Sequence, residues 1–295
     1  MGHRLGLVWR FVVTGRGKAL LGALLIFALA IGVLIGSGPL RAALRGGSAD
    51  ADALAQAEAD LKVAQAEASQ GHAFADAAGP AAVVARLDGH TIALVRTADA
   101  TDEDVAAASA HLADAGAQVG AHVALTADWT SDDRAPFRDA LAEQMTAALT
   151  DPPSGATTSQ VLSMALAQSL APGVAAGDGI AGADDTERAD TLWTLLTDAK
   201  LVTGERTADV DMFVLVAPGG DVADLASAFA QTSNGTVVGF TGGDAGSAGP
   251  ATTVTNAATF YGAWAVVSAA INAASGSVGA YDASDAADLI AGLSK

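Results

Sequence analysis

The hydropathy pattern changes character three times along the chain. Residues 19–38 (ALLGALLIFALAIGVLIGSG) contain no charged side chain. At about 1.5 Å of rise per residue, a helix of this length covers about 30 Å, the thickness of a bilayer's hydrocarbon core. The run is apolar on every helical face, whereas a soluble surface helix keeps a polar stripe. A cleaved export signal shares the basic-then-apolar order but usually has a shorter apolar part, about 7–15 residues. The nearest small-x-small sites, Ala49-Asp50-Ala51 and Ala51-Asp52-Ala53, lie well beyond the end of the run. The pattern therefore predicts an uncleaved single-pass anchor at 19–38, preceded by a basic tail at 1–18.

The second pattern is helical. Residues 48–70 are rich in Ala with Glu, Gln and Lys, all good helix formers. Leu54, Ala57, Leu61, Ala64 and Ala68 fall on a and d positions of a heptad repeat. This predicts a short coiled-coil stalk over 48–74, closed by Gly71, Gly79 and Pro80; a solvated single helix is the alternative. Alanine buries little surface, so pairing through this seam is weak unless a shared membrane raises the local concentration. The expected partner is a second copy of the chain.

The third pattern, over 88–295, alternates strands with helices. Apolar, β-branched runs predict strands at 90–97, 118–125, 211–217, 236–241 and 251–255. Helices are predicted at 101–115, 131–149, 157–170, 184–200, 221–231, 259–274 and 282–292. The stretch 259–274 is almost entirely apolar but short for a membrane span, so it is read as a buried core helix. Strands that are apolar throughout and separated by helices argue for a parallel sheet covered on both faces. The fold class is α/β, with a Rossmann- or flavodoxin-like parallel-sheet ectodomain. Pro152-Pro153-Ser154-Gly155 marks a subdivision near 151–156. The long alternating strands of a membrane β-barrel are not evident.

Charge sharpens this division. The net charge is −18 over 295 residues. Residues 1–45 hold six Lys and Arg and no acid; in the remainder nine Lys and Arg stand against 33 acids, a formal −24. Arg4, Arg10, Arg16 and Lys18 outnumber Arg41 and Arg45, which places the N-terminus in the cytoplasm and the large acidic part outside. Such an acidic surface does not bind nucleic acid by neutralising phosphates. With no cysteine, disulfides, thiolate metal sites and thiol nucleophiles are excluded.

Candidate chemistry is sparse. The loop Gly242-Gly243-Asp244-Ala245-Gly246-Ser247-Ala248-Gly249 follows a strand, as phosphate loops do, but a further strand comes next in place of a helix. It reads first as a flexible loop and second as a ligand site. Among the histidines, His90 and His122 fall on two adjacent predicted strands and are the weak candidates for a metal. The clusters Asp102/Glu103/Asp104, Asp132/Asp133 and Asp184/Asp185/Glu187 all open helices, where the macrodipole favours acids. No calcium loop, nucleophile elbow or other catalytic constellation is found, so a non-enzyme without a resident cofactor is expected.

Four segments together resemble one family. FALAIGVLIGSGPL at 27–40 is followed by an Ala/Glu-rich helix, then IALVRTADATDEDV at 92–105, AGAQVGAHVALTADW at 115–129 and TVVGFTGGDAGS at 236–247. In this order they resemble the MctB-like copper transport outer-membrane proteins, including a SteB-like branch. The resemblance implies an envelope protein of copper efflux or homeostasis, with copper as the implied metal and an outer-membrane location carried by the family label. For the SteB-like branch it implies a single-span scaffold that works with a membrane or cell-wall protein in cell separation, by controlling peptidoglycan hydrolases.

Overall fold

The computed structural model describes residues 49–175 and 182–284. The predicted tail at 1–18, the anchor at 19–38 and most of the last predicted helix lie outside these residues. Among the described residues, no helix is long and apolar enough to cross a membrane.

The chain divides into two compact units, one up to Gly71 and one from His72 onward. The first unit contains most of helix α1, Ala49–Val83. Here the seam residues Leu54 and Leu61 are 62% and 54% exposed, Ala64 and Ala68 are exposed and Ala57 is half-buried. Helix α1 does not stop where its glycines and proline suggest. It runs through Gly71, Gly79 and Pro80. Gly79 serves packing in the second unit: a Cβ there would sit 2.3 Å from the Trp264 ring. Pro80 falls in the final turn, where its missing N–H costs one helical hydrogen bond.

The second unit is a seven-stranded sheet with the order β3-β2-β1-β4-β5-β6-β7. Its strands are β1 Thr91–Arg96, β2 Gln118–Leu125, β3 Val202–Arg206, β4 Met212–Ala217, β5 Gly235–Phe240, β6 Thr252–Thr255 and β7 Ala280–Asp282. All neighbours pair in parallel except β2 and β3, which are antiparallel. The expected parallel sheet is present, with one antiparallel pair at its β3 edge. Strand β3 (VTGER) escapes the apolar-run test because it is an edge strand with three exposed residues. Strand β7 is too short, at three residues, to leave a pattern.

Strand β4 shows why the sheet must be covered twice. All six of its residues are buried, and side chains alternate faces along a strand. Phe213, Leu215 and Ala217 join one core with helices α3 Ala135–Thr146, α4 Thr158–Leu170, α5 Ala183–Asp198 and α6 Ala223–Gln231. Phe213 stacks on Phe229 of α6 at 4.2 Å. Met212, Val214 and Val216 join the other core, with α2 Asp102–Asp114 and α7 Phe260–Ala274. The almost wholly apolar α7 is the core helix expected, buried from Gly262 through Ala273.

Helix starts follow the sequence closely. Thr101 and Asp104 close a capping box on α2, and Thr157 and Gln160 do so on α4. The chain winds outward from β1 to β2 and β3, returns to β4 beside β1, then winds outward the other way. Strands β1 and β4 therefore flank the point where the order reverses, the place where open α/β sheets hold ligands beyond the carboxyl ends of their strands.

Candidate functional site

A cleft of about 440 Å³ opens at that reversal point. Three segments that follow strands build it. Thr97, Ala98 and Asp99 follow β1; Thr126, Trp129 and Thr130 follow β2; Asp221 and Val222 follow β4. Helices α3, α4 and α6 complete it with Arg138 and Asp139, Thr158 and Ser159, and Asp224 and Leu225. Leu125, Leu162 and the buried ring of Trp129 give it an apolar floor.

Most polar groups here are committed to the fold. Arg138 Nη1 donates to the carbonyl oxygens of Asp128 at 2.8 Å and Ser131 at 2.6 Å, so it pins the turn after β2. Thr158 Oγ1 donates to Asp139 at 2.6 Å. Asp221 accepts from the Ala223 N–H at 3.0 Å, and Thr126 Oγ1 donates to the Lys200 carbonyl at 2.6 Å. Several groups are left over. The side chains of Asp99, Asp224, Thr130 and Ser159 hold no hydrogen bond or ion pair among the described residues, and Thr97 Oγ1 is buried with no hydrogen-bond partner. A buried hydroxyl without a partner costs about 1–3 kcal/mol.

At the opposite end of the same strands a carboxylate is tied into the fold. Asp211, just before β4, accepts from the Thr91 N–H at 2.7 Å, and its other oxygen lies 2.7 Å from His90 Nδ1 and 3.4 Å from Asn234 Nδ2. An ionised carboxylate only accepts hydrogen bonds, so His90 presents Nδ1–H to it. This network ties β1, β4 and the turn before β5 together.

The two histidines singled out from the sequence lie at different places. His90 precedes β1 and is engaged by Asp211. His122 is an exposed residue of β2 whose register partners are Leu94 and Glu205. Leu94 lies four residues along from His90, about 13 Å at strand spacing, so the adjacent strands do not bring the imidazoles together. Among the described residues, no group of three or more His, Asp or Glu side chains is arranged to hold a metal ion.

The acidic helix starts at Asp104 and Asp185 act structurally, whereas Asp132 and Asp133 fall in a short 3-10 turn whose cap, Ser131, makes no side-chain bond. Asp104 caps α2, as above. Asp185 accepts from the Gly182 N–H at 3.1 Å and pairs with Arg188 at 2.8 Å. The backbone hydrogen bond first, then Arg188, holds its carboxyl below the usual carboxylate range. Asp282 is likewise held low, chiefly by the Ser284 N–H. The Gly-rich loop is a packing device. Ser247 N–H donates to the Gly220 carbonyl and Val222 N–H to the Ser247 carbonyl. A Cβ on Gly246 would fall 1.8 Å from the Gly220 carbonyl oxygen, so only glycine permits this approach.

The cleft residues come from segments up to 128 positions apart, Thr97 to Leu225, and carry no short motif. The usable signal was topological: they follow the two strands that flank the order reversal. No curated protein matches the chain. A family model described as "Copper transport outer membrane protein, MctB" matches residues 21–291. That match spans almost the whole sequence, and the chain belongs to the copper transport outer membrane protein family.

Proposed function

We propose that this chain is a membrane-anchored, non-catalytic envelope protein of copper transport or homeostasis. The observation that carries the reading is the family match over residues 21–291, which takes in all but the first two residues of the apolar run and all the described residues. In this reading residues 19–38 anchor the chain, residues 1–18 face the cytoplasm, and the stalk and α/β domain stand outside it. Copper is treated as cargo or signal, and no step is routed through a bound ion. Deletion of the gene should raise cell-associated copper after a copper challenge, and the intact gene should restore it. Unchanged copper would contradict the reading.

A second reading is favoured by one feature of α1. Its seam leaves Leu54 and Leu61 exposed on one heptad row, a surface suited to a second copy or to a partner helix. On this reading the chain is a SteB-like scaffold that dimerises through the stalk and helps control cell-wall hydrolysis during cell separation. Leu54→Glu with Leu61→Glu should convert the dimer to a monomer in sedimentation measurements and should impair separation of daughter cells. A monomeric parent chain, or normal separation by the variant, counts against it.

A further inference from the structure

We propose that Asn234 is a modification site, whose carboxamide is hydrolysed to a carboxylate by way of a cyclic imide formed with the backbone nitrogen of Gly235. This stands apart from the copper and stalk readings, since it rests on the α/β domain alone.

The reaction needs a backbone nitrogen that can reach the preceding side chain. Gly235 carries no Cβ to shield its own nitrogen. The Asn234 N–H donates to the Asp211 carbonyl at 2.7 Å and so faces β4. Successive N–H groups of a strand point to opposite sides, so the Gly235 N–H faces β6. Strand β6 begins at Thr252, whose register partner is Val237, two residues farther on. The Gly235 nitrogen therefore lies past the end of the neighbouring strand, and among the described residues its N–H donates to no backbone carbonyl outside the strands. Gly235 borders a small surface hollow with Ser233, Pro250 and Val278, where water can enter.

The side chain that would be attacked is loosely held. Asn234 is exposed, and among the described residues its one side-chain bond runs from Nδ2 to Asp211 at 3.4 Å. The chain's other two asparagines lack this combination. Asn256 is followed by Ala257, whose N–H is committed to the Phe240 carbonyl at 2.8 Å. Asn272 is buried within α7.

Water is the co-reactant, and the step balances. Hydroxide takes the Gly235 amide proton, and the nitrogen bonds to Asn234 Cγ. The bond from Cγ to Nδ2 breaks, and the departing nitrogen takes a proton from water and leaves as ammonia. Water then opens the imide at either carbonyl, giving aspartate or isoaspartate. Aspartate sets an acceptor against Asp211 where the amide donated. Isoaspartate adds one carbon to the backbone at the start of β5.

The test is storage of the full chain in detergent micelles at a series of mildly alkaline pH values, beside a urea-unfolded sample. Chymotrypsin cuts after Phe229 and Phe240, so mass spectrometry reads Asn234 in the peptide 230–240. Methyl transfer by an isoaspartyl methyltransferase reads the isoaspartate share. Asn234 of the folded chain should convert no more than about tenfold slower than in the unfolded chain. Its rate should rise with pH, and Asn256 and Asn272 should lag behind it. The proposal is overturned if Asn234 keeps its amide or converts more slowly than that, if its rate does not rise with pH, or if the three asparagines of the folded chain convert alike.

Discussion

At the amino ends of β1 and β4, Asp211 accepts the Thr91 N–H and meets His90 and Asn234. At the carboxyl ends of the same two strands, Asp99 and Asp224 border a cleft and meet no side chain or backbone donor. The residues are chemically similar and sit a strand's length apart, yet one end is sealed by its carboxylate and the other is left acidic and open. A folding chain gains from the first arrangement. It gains less from the second, where Asp224 sits in the first turn of α6 but like charges gather and Thr97 Oγ1 is buried without a partner. Local departures of this kind from self-consistency are expected at functional sites.

The largest effect should come from breaking the sealed end. Asp211→Ala should destabilise the fold by about 2–3 kcal/mol, because it strips the charge-assisted partner from the Thr91 N–H and from His90 together. Chemical denaturation measures this as a lower midpoint at unchanged slope. Next, Arg138→Met should cost about 1–2 kcal/mol. It unpins the turn after β2 by removing the two bonds to Asp128 and Ser131, and it would show that charge at the open end is partly structural.

The open end should otherwise respond in the opposite direction. Thr97→Val keeps the shape and removes the orphaned hydroxyl, so it should raise stability by up to about 1 kcal/mol, seen as a higher melting temperature. Asp99→Asn with Asp224→Asn should stay within about 0.5 kcal/mol of the parent, because relief of like charges offsets the loss of Asp224 from the first turn of α6. The smallest effect belongs to Asp185, a surface carboxylate tied like Asp211 but outside both ends. Its pKa in the fold lies below its unfolded value, so its contribution is full above the ordinary carboxylate range and is lost as pH falls through the lowered folded pKa. Asp185→Asn should flatten only that acid-side portion of the stability profile, measured by denaturation at a series of acidic pH values.

Much of the fold was legible because its signals are local. The run MFVLVA in β4 is buried on both faces and reads as such, and Thr101 with Asp104 announces the start of α2. What was missed depends on distant partners. Strand β3 (VTGER) is a strand because β2 lies beside it, and its own residues mostly face solvent. Gly79 reads as a helix stop, yet the helix continues and the missing side chain makes room for Trp264. His122 lies on β2 as read, whereas His90 falls one residue before β1, and only the register shows how far apart their levels are. The cleft was invisible for the same reason: Thr97, Arg138 and Asp224 line one site only because β1 pairs in parallel with both β2 and β4.

The comparison of the two ends is tested most directly by urea denaturation of Asp211→Ala beside the Asp99→Asn, Asp224→Asn double variant, under one buffer and with one probe. The account predicts a large loss of stability for the first and little change for the second. A double variant that loses as much as Asp211→Ala would mean that the acidic edge holds the fold together, and the contrast drawn between the two ends would be wrong.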